Sequence, residues 1–185
     1  MYTTNEFRKR LRIEIDGEPF MIVDNEFVKP GKGQAFVRTR LKSMISGKIV
    51  EKTFKSGEAV KEAQVEDHVL QYLYNDSIEW SFMNTETFEQ VTVSKEHLED
   101  KWKWLKENME CEVSFFKGQP VSIEPPTFVT LKITYCEPGV KGDTANTPSK
   151  PATLETGAVI DVPLFVKEGD SIRIDTRTGD YVDRA

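Results

Sequence analysis

Cysteine and histidine are scarce in this 185-residue chain, with two of each. Cys111 and Cys136 stand singly in strand-like segments without CxxC spacing, which reads as two reduced, buried small hydrophobes and excludes a zinc or redox pair. His68 and His97 lie far from any Ser, Cys or Asp pattern that would build a triad, so they read as ordinary surface or half-buried side chains. No metal site and no catalytic residue is expected. Long apolar runs are missing as well. Nothing approaches the roughly 18 residues that a membrane span needs, and the opening MYTTNEFRKRLRIEI lacks an apolar run of signal-peptide length. The expectation is a cytoplasmic protein without a membrane partner. A share of 38% hydrophobic and 30% charged residues argues against wholesale disorder.

What is present is a series of short strand-like runs separated by Gly, Pro, Asn and Asp, the pattern of small all-β barrels. Leu11 to Ile15, Asp16-Gly17, Pro19 to Val23, Ala35 to Leu41 and the turns at Ser46-Gly47 and Ser56-Gly57 suggest a first barrel over residues 1–63. A second, over 64–126, contains Val69 to Tyr74, Asn75-Asp76, Ile78 to Met83, Gln90 to Val93 and the hairpin Glu112 to Phe116, Lys117-Gly118, Val121 to Glu124. Pro125-Pro126 cannot continue a ladder and marks a boundary. Within this part Ser94 suits an N-cap, Glu96 the positive end of a helix dipole, and Leu98, Trp102, Leu105 and Met109 one buried helical face. The last part, 127–185, starts with Phe128 to Tyr135, loosens into EPGVKGDTANTPSKPAT as a surface loop, and resumes as strands at Ala158 to Val162 and Leu164 to Val166. Gly169-Asp170 and Thr178-Gly179 turn the chain. The expected architecture is three small β domains in tandem, each near the lower size limit for independent folding.

The net charge of −6 argues against a general nucleic-acid binder but hides an asymmetry. Residues 28–55 hold eight basic side chains (Lys29, Lys32, Arg38, Arg40, Lys42, Lys48, Lys52, Lys55) and one acid, Glu51. The first 63 residues carry 13 basic against 9 acidic side chains, and the remainder 12 against 22. One end suits polyanions and the rest does not.

The most informative segment is KPGKGQAF, Lys29 to Phe36. Pro30 fixes one φ, and Gly31 and Gly33 allow positive φ on both sides of Lys32, which places the lysine at the tip of a tight projecting turn. The same residues also fit a plain hairpin turn with a solvated lysine. They do not form a nucleotide-binding loop, which needs several more residues before the lysine and a hydroxyl after it.

Extended to EFVKPGKGQAF (Glu26 to Phe36), the segment resembles the lysine-tip loop of the elongation factor P family. The resemblance continues through VEKTFKSGE (Val50 to Glu58), YLYND (Tyr72 to Asp76), FMNTETFEQ (Phe82 to Gln90) and GQPVSIEPPTFV (Gly118 to Val129). PGVKGDTA (Pro138 to Ala145), KPATLETGAVIDVPLFVKEGD (Lys150 to Asp170) and DTRTGDYVDR (Asp175 to Arg184) complete it. The chain departs from the pattern at Thr147, Pro148 and Ser149, where a more glycine-rich stretch is expected.

The resemblance implies an SH3/KOW-like barrel followed by two OB folds, L-shaped like tRNA. It implies a non-enzymatic, monomeric translation factor that binds the bacterial ribosome between the peptidyl and exit sites, beside initiator or peptidyl tRNA and ribosomal RNA, and relieves stalling at consecutive prolines. Lys32 would be the modified residue, carrying a β-lysyl extension, with or without a hydroxyl, added by a lysyl-tRNA-synthetase-like enzyme; no other cofactor is implied. Lys29, Pro30, Gly31, Gly33 and Gln34 would form the tip that meets the CCA end of the tRNA. Arg38, Arg40 and Lys42 are candidate phosphate contacts that equally suit plain solvated strand charges. Tyr181 and Arg184 match the family's terminal pattern, where small-subunit contact is implied; Tyr181 equally suits a cap on a hydrophobic seam, and Arg184 has little structural reason for its place.

Two other classes compete. A structural RNA-binding module would interleave exposed aromatics with basic residues on the strands of the later domains, and their acidic balance speaks against it. An enzyme on sugars or nucleotides would pair carboxylates among Glu79, Glu86 and Glu89, but such clusters are usually solvated faces.

Overall fold

The computed structural model describes residues 1–139 and 148–185. Six strands open the chain: β1 (Tyr2–Thr3), β2 (Arg12–Ile15), β3 (Glu18–Val28), β4 (Phe36–Ser43), β5 (Ile49–Lys55) and β6 (Ala59–Glu62), in the sheet order β1-β6-β2-β3-β4-β5. β7 (Val65–Asn75), β8 (Glu79–Met83), β9 (Gln90–Ser94), β10 (Glu110–Phe116) and β11 (Gln119–Glu124) follow in the order β11-β10-β7-β8-β9. β12 (Phe128–Cys136), β13 (Ser149–Leu154), β14 (Val159–Pro163), β15 (Ser171–Asp175) and β16 (Asp180–Arg184) form the order β14-β13-β12-β15-β16. The fold is all-β, as the turn-punctuated sequence implies. Its tight hairpins follow from local chemistry. Asp16 and Gly17 have φ of 51° and 82°, and Lys117 and Gly118 have 51° and 78°. Paired positive φ values twist a two-residue turn in the sense that antiparallel strands require.

Packing divides the chain into two compact units, residues 1–68 with 113–123 and residues 69–112 with 124–185. In the first, Ile13, Ile22, Val37, Leu41 and Phe54 form one buried cluster, with Phe7 edge-on to Phe54 at 5.3 Å. Each such fully buried side chain contributes about 1.5–3 kcal/mol. Met44, Ala63, Phe116 and Val121 form a second cluster. Beside it Arg12 donates from Nη1 to both Asp67 oxygens, at 3.0 and 2.8 Å, and the Ser114 hydroxyl donates to Asp67 Oδ1 at 2.6 Å. Partial burial pushes the Asp67 carboxyl up, yet these hydrogen bonds outweigh it and hold the group below its ordinary value. The second unit centres on Leu131, Ile133, Leu154, Val166, Ile172 and Ile174, against which Trp104 packs.

Three expectations fail locally. The amphipathic helix is only one turn, α1 (Lys95–Leu98), followed by a 3-10 turn at Lys101–Trp104. Glu99, at φ 52° and ψ −126°, breaks it. The Ser94 hydroxyl caps no N–H; it pairs with His97 Nδ1 at 3.1 Å. The stripe divides accordingly: Leu98 and Leu105 are buried, whereas Trp102 is half-exposed and lines an open cleft of about 530 Å³ with Tyr72, Lys95 and Lys106. The stretch KPAT, expected in a loop, belongs to β13, where Lys150, Ala152 and Leu154 point inward. Pro151 lies beyond the last β12 partner pair, Ala152 with Cys136, so a proline is tolerated there. Leu164 to Val166 is a turn, closed by Val166 N–H donating to the Pro163 carbonyl at 3.1 Å. In the segment carrying Thr147, Pro148 and Ser149, residues 140–147 lie outside the described residues.

Candidate functional site

The longest hairpin of the first unit is β3 with β4, paired from Phe20–Ser43 to Val28–Phe36. Alternation drives it: Val37, Thr39 and Leu41 point inward while Arg38 and Arg40 point out. A register shift between Ile22 and Asp24 marks an irregularity of the kind that bends a strand and raises its twist. Beyond Val28 and Phe36 the strands separate, leaving residues 29–35 as the connecting loop. Lys29, Gly31, Lys32, Gly33 and Gln34 are exposed and Pro30 is half-buried. The carbonyl of Ala35 accepts from Ser56 N–H at 3.0 Å, fixing the return of the loop.

Both glycines permit positive φ, but only Gly33 adopts it. Gly33 has φ +112°, with Pro30 Cγ at 3.8 Å from where a Cβ would stand. Gly31 is outside the left-handed region and a Cβ there would meet nothing within 4 Å. The turn needs glycine at position 33, whereas at position 31 an added side chain would meet open space.

The sheet also rearranges the charge seen along the sequence. Arg38 lies opposite Glu26 and approaches it to 3.8 Å, and Arg40 sits between Asp24 on β3 and Glu51 on β5. Lys42 is half-buried between Met21 and Ile49. The basic run is thus interleaved with carboxylates that the adjoining strands supply. Exposed pairs of this kind are worth about 0–1 kcal/mol, so an incoming phosphate can exchange for the carboxylate at little cost. Phe27, next to the loop, is 57% exposed although it pairs with inward-facing Val37, and the sequence pattern does not single it out. Beneath the hairpin, Thr39 is fully buried and its hydroxyl has no hydrogen-bond partner among the described residues.

Tyr181 is partly buried against the core of the second unit and lies edge-on to Phe165 at 6.5 Å. Arg184 does have structural contacts: its guanidinium sits 5.3 Å from the Phe165 ring and 3.9 Å from Asp170. Phe128 is likewise flanked by Arg173 and Arg177, at 5.5 and 5.9 Å. Exposed aromatics with arginines therefore do occur on the later strands, which the summed acidity had argued against. Glu79, Glu86 and Glu89 are exposed, and no cluster of three potential metal ligands occurs among the described residues. Both cysteines are buried, and burial pushes the Cys111 thiol up to about 12. No described helix is long and apolar enough to cross a membrane.

Three family models tile the chain: the elongation factor P KOW-like domain over residues 3–60, its OB domain over 65–123 and its C-terminal domain over 129–184. Elongation factor P of Caldanaerobacter subterraneus subsp. tengcongensis is 53% identical over 184 residues, covering 100% of both chains. The chain belongs to the elongation factor P family. A second member of the family, from a Thermoanaerobacter species, is 54% identical over the same length. Among solved structures, translation initiation factor 5A from Methanococcus jannaschii matches with a TM-score of 0.57 at 22% identity, over 67% of this chain and 91% of its own. That likeness concerns the fold. As an elongation factor P family member, the protein is a translation factor with a KOW-like barrel and OB folds.

Proposed function

We infer that this factor binds the ribosome between the peptidyl and exit sites and promotes peptide-bond formation at consecutive prolines, by positioning the CCA end of peptidyl-tRNA with a modified Lys32. The observation that carries the reading is the hairpin loop 29–35, which leaves Lys32 exposed between β3 and β4, the latter carrying outward-facing Arg38 and Arg40. Proline is a hindered secondary amine with fixed φ, so it reacts slowly and positions its own ester poorly. Relief of a stall by tenfold to a hundredfold requires only about 1.4–2.7 kcal/mol. Ordering reactants supplies up to about 7–11 kcal/mol in favourable systems, so fixing one mobile tRNA end is sufficient and Lys32 need not react.

A β-lysyl extension, hydroxylated or not, gives Lys32 longer reach and a further cationic donor toward RNA phosphates. A lysyl-tRNA-synthetase-like enzyme would add it. Lys29 and Gln34 flank the contact, Pro30, Gly31 and Gly33 shape it, and Arg38, Arg40 and Lys42 meet phosphates. Tyr181 and Arg184 contact the small subunit. The protein works as a cytoplasmic monomer and breaks no bond itself.

The test is translation in vitro of matched reporters with and without a run of three prolines, using protein whose Lys32 mass has been measured. Lys32→Ala abolishes the stimulation on the proline reporter and leaves the control reporter unchanged. Full stimulation by Lys32→Ala would sink the reading.

A further inference from the structure

The face shared by β12 and β15 has a composition that the proposed tip does not use. Cross-strand register places Phe128 opposite Asp175, Thr130 opposite Arg173 and Lys132 opposite Ser171. Positions 128, 130 and 132 are all exposed, as are Ser171 and Arg173. Phe128 leaves 49% of its surface in water, and two guanidinium carbons stand 5.5 and 5.9 Å from its ring centre. The resulting strip carries one aromatic ring, the three cations Arg177, Arg173 and Lys132, and the carboxylates Asp175 and Asp183 beside the two arginines.

Both arginines are oriented by carboxylates and keep donors to spare. Arg177 donates from Nε and Nη2 to the two oxygens of Asp175, at 3.1 and 2.8 Å, and Arg173 donates from Nη2 to Asp183 at 2.7 Å. These bonds use two and one of the five N–H groups that each guanidinium offers. The Arg177 side chain and backbone N–H hold the Asp175 carboxyl below its ordinary value. A planar fork locked beside an aromatic ring, with N–H groups unused among the described residues, suits a phosphodiester with an unpaired base next to it. A duplex suits it poorly, because its bases are stacked internally and show no face to a side chain.

We propose that the Phe128, Arg173, Arg177 and Lys132 face binds single-stranded RNA, an unpaired base stacking on the Phe128–arginine surface while the guanidiniums hold the adjoining phosphates. The face uses none of Lys32, Tyr181 and Arg184, although Arg173 pairs with Asp183 on the strand that carries the last two, and it stands or falls independently of the reading above.

Fluorescence anisotropy of the full chain with a labelled single-stranded uridine oligonucleotide of about eight residues, within the usual span of an OB fold, tests it over a series of salt concentrations. Phe128→Leu weakens binding about fivefold or more with the salt slope unchanged, since stacking is lost and phosphate contacts remain. Arg173→Gln and Arg177→Gln each weaken binding and reduce the slope by about 0.7 per lost contact. Lys61→Gln, at an exposed lysine of β6 that neither site uses, changes affinity less than about twofold. Thermal melts confirm that each variant is folded; the exposed Arg173→Gln carries the test should Phe128→Leu prove unstable. Absence of binding by the unaltered protein, equal binding by all variants, or equally tight binding of duplex RNA overturns the proposal. Any of these, found together with intact Lys32-dependent stimulation, leaves the proposed function standing.

Discussion

Replacing Asp67 by asparagine isolates the network that ties β2 to β7 and β10 within the first unit. In the native protein the carboxylate accepts two N–H bonds from Arg12, at 2.8 and 3.0 Å, and one O–H bond from Ser114 at 2.6 Å. Asparagine keeps the shape but turns one acceptor into a donor facing the guanidinium. Bonds to a charged group contribute about 1.5–3 kcal/mol each when sheltered, whereas an exposed pair contributes about 0–1 kcal/mol. The side chains here are 27% and 37% exposed, so solvent screening discounts the larger figure and the expected loss is about 1–2 kcal/mol. Trp80, Trp102 and Trp104 all fall in the second unit, so tryptophan fluorescence reports that unit and far-ultraviolet circular dichroism is needed for the first. The pH dependence follows from the sign of the shift. A carboxyl held below its ordinary value of 3.8 contributes its stability in full above that value, and loses it as pH falls through the folded-state value. The gap between native protein and Asp67→Asn is therefore widest near neutrality and closes as pH drops below 3.8. Equal urea midpoints at pH 7, or a gap that persists undiminished in strong acid, would refute the reasoning.

Three further outcomes are expected. Thr39→Val removes a fully buried hydroxyl that has no partner among the described residues and raises stability by about 1 kcal/mol or more, read as a higher urea midpoint; a lower midpoint contradicts it. Gly33→Ala, at φ +112°, strains the loop by about 1–3 kcal/mol and reduces stimulation on proline reporters, whereas Gly31→Ala stays within about 0.5 kcal/mol of the native fold. Equal effects on loop hydrogen exchange from the two substitutions would remove the distinction. Cys111, with its thiol at about 12 and its side chain buried, resists alkylation at pH 8 in the folded protein and reacts on unfolding, as intact mass will register.

Much of the fold was legible because its determinants are local. Asp16-Gly17 and Lys117-Gly118 demand positive φ, and alternation in Phe36–Ser43 can bury only one face of a strand. The helix expected after Ser94 was not legible. Its stripe has the right period, but Glu99 turns the chain and Trp104, outside the stripe, packs in the core of the second unit. β13 was hidden by Pro151 and by Lys150, a buried lysine whose Nζ donates to the Glu137 carbonyl at 2.7 Å. That bond joins β13 to the residue just past the end of β12, 13 positions away in the sequence, so no local pattern announces it.

The candidate site divides in the same way. Lys29 to Ala35 is contiguous, so proline, glycine and lysine alone determine that a lysine is offered at a turn. Tertiary pairing decided the rest. It set Glu26 against Arg38 and Asp24 and Glu51 against Arg40, tempering a basic run that counts as unopposed along the chain. It also brought Phe128 together with Arg173 and Arg177, some 45 residues away in the sequence. Electrostatics and stacking depend on distance in space, whereas composition sums over the chain, so a domain with an acidic total can still present a cationic, aromatic face.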